Sequence, residues 1–322
     1  MALYDKTGNK LTLSQLRAGV IGHAIGDALG VPVEFATRSQ LTLDPVTNMR
    51  SGGTYNMPAG TWSDDTSMEL CLMQSVIDEG AYNYDDIMKN FVLWCQKDRF
   101  VAGEYCFDIG NTCANSISRY RSGISPLKCG SNTERGNGNG SLMRILPVAF
   151  VCSAKNINGL ERYRAVKDIS SLTHAHEISV LGCYAYINFI CALLDGENKH
   201  TAYDRMQQAD YSMFSDKAQQ LYRRILKENI HAYTVDSISS SGYVLHTLEA
   251  SLWAIMRYDS YAETVLAAVN LGSDTDTVGA ITGSMAGVLY GFDAIPDEWI
   301  QTLQRHDYLL TMCDNFFAAI TA

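Results

Sequence analysis

Asp274, Asp276 and the hydroxyl of Thr277 fall within four residues, in the stretch Leu271-Gly-Ser-Asp-Thr-Asp-Thr-Val-Gly279. Two aspartates at i and i+2 cannot share one helix face. In the turn that enters a helix they can converge on a cation, and such an oxygen set suits hard metals. A second cluster of hydroxyls and acids, Ser63-Asp64-Asp65-Thr66, stands at the start of another predicted helix. Taken alone, Asp64 and Asp65 read as caps that compensate the helix dipole, worth about 0.3–1 kcal/mol. Beside the first cluster they read equally as the other half of a divalent-metal site. The spacing leaves both readings open.

Other residues could add chemistry. Asp108, in Phe107-Asp-Ile-Gly-Asn-Thr-Cys113, is either a turn residue or a third acid near the metals. Asp27 is either a polar residue near a helix end or a support for the metal shell. The run Gly136-Asn137-Gly138-Asn139-Gly140-Ser141 precedes a predicted helix, and such a loop can cradle phosphate through backbone N–H groups. It lacks the Gly-Lys-Ser/Thr ending of a Walker loop and the strand–helix setting of a dinucleotide fingerprint. His174 and His176 are two apart, a poor spacing for one ion on a helix, so a structural or substrate-contacting role is expected.

These residues need elements to position them. Gly19, Gly22, Gly26 and Gly30 recur at three- and four-residue steps, and so do Gly279, Gly283, Gly287 and Gly291. Glycine costs about 1 kcal/mol per interior helix position relative to alanine, so each row needs a reason. Close packing of the two helices on each other supplies one. Ser14 is the expected N-cap of the first helix, and residues 1–13 are expected to be a peripheral lead-in. Further helices are expected from Ser63 or Asp64, over Tyr84–Lys97, after Asn111, over 160–195 with Thr173–Glu177 in the middle, after the serine-rich loop at 237–243, and over 262–270. Residues 36–60 and 122–140 read as loops. No sustained period-two pattern and no internal repeat occurs.

Composition narrows the class. With 47% hydrophobic and 19% charged residues, the 322-residue chain is an ordinary globular protein with a large core. Candidate site residues lie at both ends and in the middle, which predicts one all-α domain over 1–322. A formal charge of −10 argues against nucleic acid as partner and is compatible with an arginine-bearing protein substrate. The run Ile178–Leu194 falls short of a membrane span and predicts a buried core helix, so no span is expected. Nine scattered cysteines without a Cys-x-x-Cys pair, and no leader-like start, predict free thiols and a cytoplasmic protein.

Taken in order, the motifs resemble the ADP-ribosylglycohydrolase family, nearest to its bacterial dinitrogenase-reductase-activating branch. They are Gly26-Asp-Ala-Leu-Gly30 with Glu34, Ser63-Asp-Asp-Thr66, Asp108-Ile-Gly-Asn-Thr-Cys113, Gly138-Asn-Gly-Ser-Leu-Met-Arg144, Thr173-His174, Ser241-Gly-Tyr243 and Asn270-Leu-Gly-Ser-Asp-Thr-Asp-Thr277. The resemblance implies a compact all-α fold with a central cleft holding two Mg²⁺ or Mn²⁺ ions. Its implied ligands are Ser63, Asp64, Asp65, Asp274, Asp276 and Thr277, with Ser63 replacing the family's usual threonine. The catalytic acids it implies are Asp108, Glu34 and Asp65. Asn111, Gly136, Asn137, Gly138, Asn139, Gly140, Ser141, His174 and Tyr243 match positions lining an ADP-ribose cleft. His246 stands where some relatives carry aspartate. The implied activity is removal of ADP-ribose from modified arginine on proteins by a monomeric enzyme. Alternatives keep the fold and change the linkage to serine, O-acetyl, nucleobase or small guanidine. A non-enzymatic, crystallin-like role is the remote one.

Overall fold

Helices carry almost all of the regular structure in the computed structural model, which describes residues 11–322. In chain order they are α1 (Leu13–Gly30), α2 (Arg38–Leu43), α3 (Asp64–Glu79), α4 (Tyr84–Lys97), α5 (Asn111–Arg121), α6 (Leu146–Ala154), α7 (Gly159–Ser171) and α8 (Glu177–Leu194). Then follow α9 (Lys199–Gln207), α10 (Asp216–Leu221), α11 (Arg223–Leu226), α12 (Val244–Arg257), α13 (Tyr261–Val269), α14 (Thr275–Tyr290), α15 (Asp297–Thr302) and α16 (His306–Thr321). Among the described residues β-structure is limited to isolated bridges, Gly52 with Met57, Ser131 with His174 and Gly138 with Tyr243. The expected all-α, single-domain class holds.

The spine is the pair α1 and α14, the most extensively packed helices in the molecule. Their glycine rows face each other. A Cβ on Gly26 would lie 2.0 Å from the Gly279 carbonyl oxygen, and one on Gly283 would lie 2.1 Å from the Gly22 oxygen. Only hydrogen fits there, so the backbones touch directly. At the end of α1 a Cβ on Gly30 would lie 2.3 Å from the Asp276 backbone nitrogen. The Thr275 hydroxyl donates to the Gly30 carbonyl at 2.7 Å. The spine thus fixes the start of α14, and with it Asp274–Thr277, against the end of α1.

Around the spine, α13, α12, α3 and α16 bury their apolar faces, and α8 lies in the core. Helix α8 has the length and hydropathy of a membrane span, but 94% of it is buried inside the protein. All nine cysteines are free.

Local chemistry sets the helix ends, with some departures from expectation. The N-cap of α1 is Thr12, in a capping box with Gln15, and Ser14 lies inside the helix. Leu11 is fully buried, so the lead-in is not peripheral where it is described; residues 1–10 of it lie outside the described residues. The expected loop 36–60 contains α2, which Thr37 caps with a box to Gln40. The expected helix 160–195 is two helices. Its Thr173–His176 segment leaves helical geometry because Ser131 takes its backbone: Ser131 N–H donates to Thr173 O and Ala175 N–H to Ser131 O, both at 2.8 Å. The glycine-rich loop does not open directly into a helix either; a turn intervenes, and α6 starts only at Leu146.

Candidate functional site

Four chain segments deliver acids to one place. Ser63 caps α3, accepting from the Asp65 N–H at 3.3 Å, so Asp64 and Asp65 occupy the first turn. Asp27, from α1, accepts from the Ser63 N–H at 2.9 Å, the Thr66 N–H at 3.2 Å and the Thr66 hydroxyl at 2.6 Å. Asp27 therefore anchors this turn. Asp274 caps the start of α14 and Asp276 lies in its first turn, accepting the Thr277 N–H at 2.9 Å. Glu34 follows the end of α1. Asp108 precedes α5 in a left-handed backbone conformation (φ 59°), uncommon for a non-glycine residue.

Glu34, Asp108 and Asp276 each place a carboxylate oxygen within 4.8 Å of the others, a set able to hold a metal ion. A cleft of about 260 Å³ opens beside them, lined by Glu34, Asp64, Asp108, Asp274 and Thr277 on the acidic side. Asn111, Gly138, Asn139, Gly140 and His174 line the other side. Asp65 is fully buried behind Asp64, and the Ser63 hydroxyl donates to it at 3.2 Å.

The electrostatics are one-sided. Burial, then the Asp108 and Asp65 charges, push Asp64 well above the usual carboxylate range. Burial and the Asp27, Asp274 and Asp108 charges do the same to Asp65. Burial and the Glu34 charge raise Asp276, and burial followed by Asp108 and Asp274 raises Glu34 to about 9. Asp274 rises to about 6, through burial opposed by the Asn139 amide, which donates to it at 2.5 Å. Among the described residues no Lys or Arg pairs with any of them. Glu34 Oε2 and Asp65 Oδ1 are buried without a hydrogen-bond partner. Converging carboxylates with orphaned oxygens and no basic neighbour fit divalent cations.

The expected substrate residues divide. Gly138, Asn139 and Gly140 line the cleft, held by the Asn139 N–H donating to Gly242 O at 3.0 Å and Val244 N–H to Asn137 O at 3.1 Å. Gly140 must be glycine, since a Cβ would meet the Cys113 sulfur at 2.8 Å and His174 Cε1 at 2.9 Å. Gly136, Asn137 and Ser141, expected on the same loop, are buried and are not among the residues lining the cleft. Asn137 donates to Glu134 O and accepts from Ser179; Ser141 accepts from Ser170. These bonds brace the loop. Arg144, fully buried, donates to the Gly140 carbonyl. His174 bonds Thr173 Oγ1 at 2.8 Å; burial, then the Arg144 charge, lowers it to about 3, so it is neutral. Tyr243 packs edge-on against His246 at 5.1 Å, next to cleft residue Gly242.

One site residue escaped sequence reasoning. Tyr55 lies on the turn closed by Gly52 and Met57, and its hydroxyl donates to Asp108 Oδ1. Its ring packs on Phe107 at 5.0 Å. No spacing or motif signals this, since its partner is 53 residues away. Behind the acids lies a second buried pair. His23 Nε2 donates to Met143 O at 2.7 Å, so its Nδ1, 3.0 Å from Glu69, carries no proton in the neutral ring. Burial lowers His23 to about 4 and raises Glu69 well above its usual range. Both shifts favour the uncharged forms, so the pair is neutral.

The class of protein is an all-helical domain with a cleft lined by acids on one side. Residues 9–322 match the family model described as ADP-ribosylglycohydrolase, and the chain belongs to this family. It is 34% identical to "ADP-ribosylarginine hydrolase Tri1" of Serratia proteamaculans, over 95% of this chain and 80% of that one. It is 30% identical to "ADP-ribosyl-[dinitrogen reductase] glycohydrolase" of Rhodospirillum rubrum, over 88% of each. A solved "ADP-ribosylglycohydrolase-related protein complex" superposes with a TM-score of 0.81 at 27% identity, covering 96% of this chain and 99% of that one.

Proposed function

We propose that this protein hydrolyses the N-glycosidic bond between ADP-ribose and an arginine guanidinium on proteins, using two bound Mg²⁺ or Mn²⁺ ions. The observation that carries the reading is the gathering of Glu34, Asp64, Asp108 and Asp274 along one cleft, with Asp276 beside Glu34 and Asp108, in a chain similar to two arginine- or dinitrogen-reductase-directed glycohydrolases.

Ser63, Asp64, Asp65, Asp274, Asp276 and Thr277 would hold the ions, with Glu34 and Asp108 beside them. When bound, such ions grip ribose hydroxyls, stabilise developing charge and orient water. The carboxylates facing the cleft stabilise the positive charge that grows on the anomeric carbon as its bond to nitrogen breaks. The Gly138–Gly140 backbone holds the pyrophosphate side. The leaving guanidinium already carries its proton, so the acid–base task is to accept the proton of the water that adds to the anomeric carbon. Asp108 and Glu34 both reach the cleft; Tyr55 orients Asp108, which favours it for this task. The free thiols support a reducing compartment such as the cytoplasm.

The test is release of free ADP-ribose from mono-ADP-ribosyl-arginine by the Mn²⁺- or Mg²⁺-loaded protein, with the serine-linked conjugate as control. Absence of turnover from folded, metal-loaded protein refutes the reading. Release from the serine conjugate alone shifts the linkage.

A further inference from the structure

Arg144 is fully buried, and among the described residues it forms no ion pair. Its guanidinium donates to two carbonyls, Gly140 O and Ile169 O, and lies over the Phe91 ring, 5.1 Å from its centroid. Its Nε is buried without a partner. A charge sealed from water with no carboxylate beside it is costly. Two carbonyls do not require that charge, because a neutral glutamine amide donates to carbonyls as well. The charge itself needs a reason, and the loop that Arg144 holds supplies one.

Along this loop the carbonyls are taken. Asn137 O accepts from Val244 N–H at 3.1 Å, Asn139 O from Met143 N–H at 3.0 Å, and Gly140 O from Arg144. Gly138 and Gly140 line the cleft, and among the described residues their N–H groups make no hydrogen bond. This wall therefore offers donors, and the Arg144 charge stands behind it. The other side of the cleft is acidic, with Glu34, Asp64, Asp108 and Asp274. An anion entering here is repelled from one side and must be drawn to the other. The Arg144 charge reaches the cleft: after burial, it is what lowers the lining residue His174 to about 3.

We infer that Arg144 is the positioning residue for the diphosphate of ADP-ribose and the source of the attraction that brings this anion into an acid-lined cleft. This rests on the proposed reading of the cleft as an ADP-ribose site. Arg144 takes the Gly140 carbonyl out of the cleft and sets a permanent positive charge behind the Gly138 and Gly140 donors, an arrangement suited to phosphate. It touches neither phosphate nor metal. A buried positive charge favours anions near it and disfavours cations, and the cleft acid Asp64 feels it too. Removing the charge therefore moves phosphate and metal affinity in opposite directions, which a loss of packing does not do.

The experiment uses full-length Arg144→Gln, which keeps a donor and loses the charge, and Arg144→Lys, which keeps the charge and loses the fork. ADP-ribose binding is read by calorimetry with saturating Mg²⁺, and Mn²⁺ binding by electron paramagnetic resonance without nucleotide. Arg144→Gln is expected to lose about tenfold in ADP-ribose affinity and to bind Mn²⁺ as tightly as wild type or tighter. Arg144→Lys should keep more ADP-ribose affinity than Arg144→Gln. A parallel fall in ADP-ribose and Mn²⁺ affinity in Arg144→Gln overturns the inference, because Arg144 would then serve the fold alone. So does unchanged ADP-ribose affinity in Arg144→Gln, or an Arg144→Lys protein as weak as Arg144→Gln. If a variant does not fold, the wild-type protein decides: it should bind ADP roughly tenfold tighter than adenosine, and equal affinity overturns the inference. A wild type that binds ADP-ribose without cleaving ADP-ribosyl-arginine overturns the proposed linkage and leaves this inference standing. A wild type that binds no ADP-ribose overturns both.

Discussion

Gly26→Ala tests whether the glycine spine builds the site. The added Cβ would lie 2.0 Å from Gly279 O and 2.5 Å from its carbonyl carbon, whereas real Cβ contacts essentially stop at 3.0 Å. The obstructing atoms are backbone on both sides, so no side chain can yield and the helices must part by at least 1 Å. Overpacking of this kind costs about 1–3 kcal/mol, and a backbone contact belongs at the upper end. Alanine returns about 1 kcal/mol of helix propensity. The net loss is about 2 kcal/mol, a fall in Tm of roughly 4 °C. Activity should fall further, because Asp27 follows Gly26 and anchors the Ser63–Thr66 turn, while Asp276 rides on α14. Parting the helices pulls the two acid pairs apart, and a 1 Å misplacement can cost about a hundredfold in rate. The assays are thermal melting and metal-dependent ADP-ribose release. Gly103→Ala, whose Cβ meets nothing within 4 Å, is the control. A Gly26→Ala protein with wild-type Tm and wild-type turnover would refute the spine argument.

Three further outcomes follow from the geometry. Tyr55→Phe keeps the packing on Phe107 and removes the hydroxyl that orients Asp108, so kcat should drop roughly tenfold or more while ADP-ribose affinity, read by calorimetry, holds. Equal losses in both would place Tyr55 in binding instead. Glu69→Gln keeps a donor toward His23 Nδ1 and should cost under about 1 kcal/mol in a denaturation curve, whereas Glu69→Ala leaves a cavity and an unpaired nitrogen and should cost about 2–4 kcal/mol; similar costs would contradict the neutral pair. Metal-free protein should lose stability as pH rises from about 4 to about 9. Asp274, Asp27 and Glu34 are raised to about 6, 7 and 9, above their unfolded values, so the folded state holds protons the unfolded chain has released. Mg²⁺ or Mn²⁺ should restore Tm most strongly at the high end. A Tm that climbs with pH in the presence of chelator runs against this.

How much of this was legible in the sequence depended on distance along the chain. The glycine rows of α1 and α14 announced close packing because their period is local, and Tyr84–Lys97 carried its own apolar face and is a helix over those residues. The Thr173–His176 break was not legible. Apolar residues continue on both sides of it without glycine or proline, and the cause is Ser131, some forty residues upstream. The loop at 136–141 read as uniform small residues; the partners that set bracing Asn137 and Ser141 apart from cleft-lining Asn139 are Ser179 and Ser170, 42 and 29 residues downstream. Tyr55 gave no signal, since a tyrosine in a glycine-rich loop gains meaning only when Asp108 is beside it.

The kind of partner chosen for each acid explains why the cleft keeps its charge for a ligand. Asp274 is held by the Asn139 amide, Asp108 by the Tyr55 hydroxyl, and Asp27 by backbone N–H groups and the Thr66 hydroxyl. All are neutral donors. They fix carboxylate geometry without cancelling charge, as a lysine or arginine would. The buried cation Arg144 donates to the Gly140 and Ile169 carbonyls instead, and the His23–Glu69 pair is neutral. The negative potential in the cleft therefore stays uncompensated by the protein, and protons and divalent cations compete to relieve it. The fold can hold such a site only if its backbone does not yield to the repulsion. The direct glycine contacts between α1 and α14 supply that rigidity, since helices already touching backbone to backbone have no soft side-chain layer between them through which the acids could drift apart.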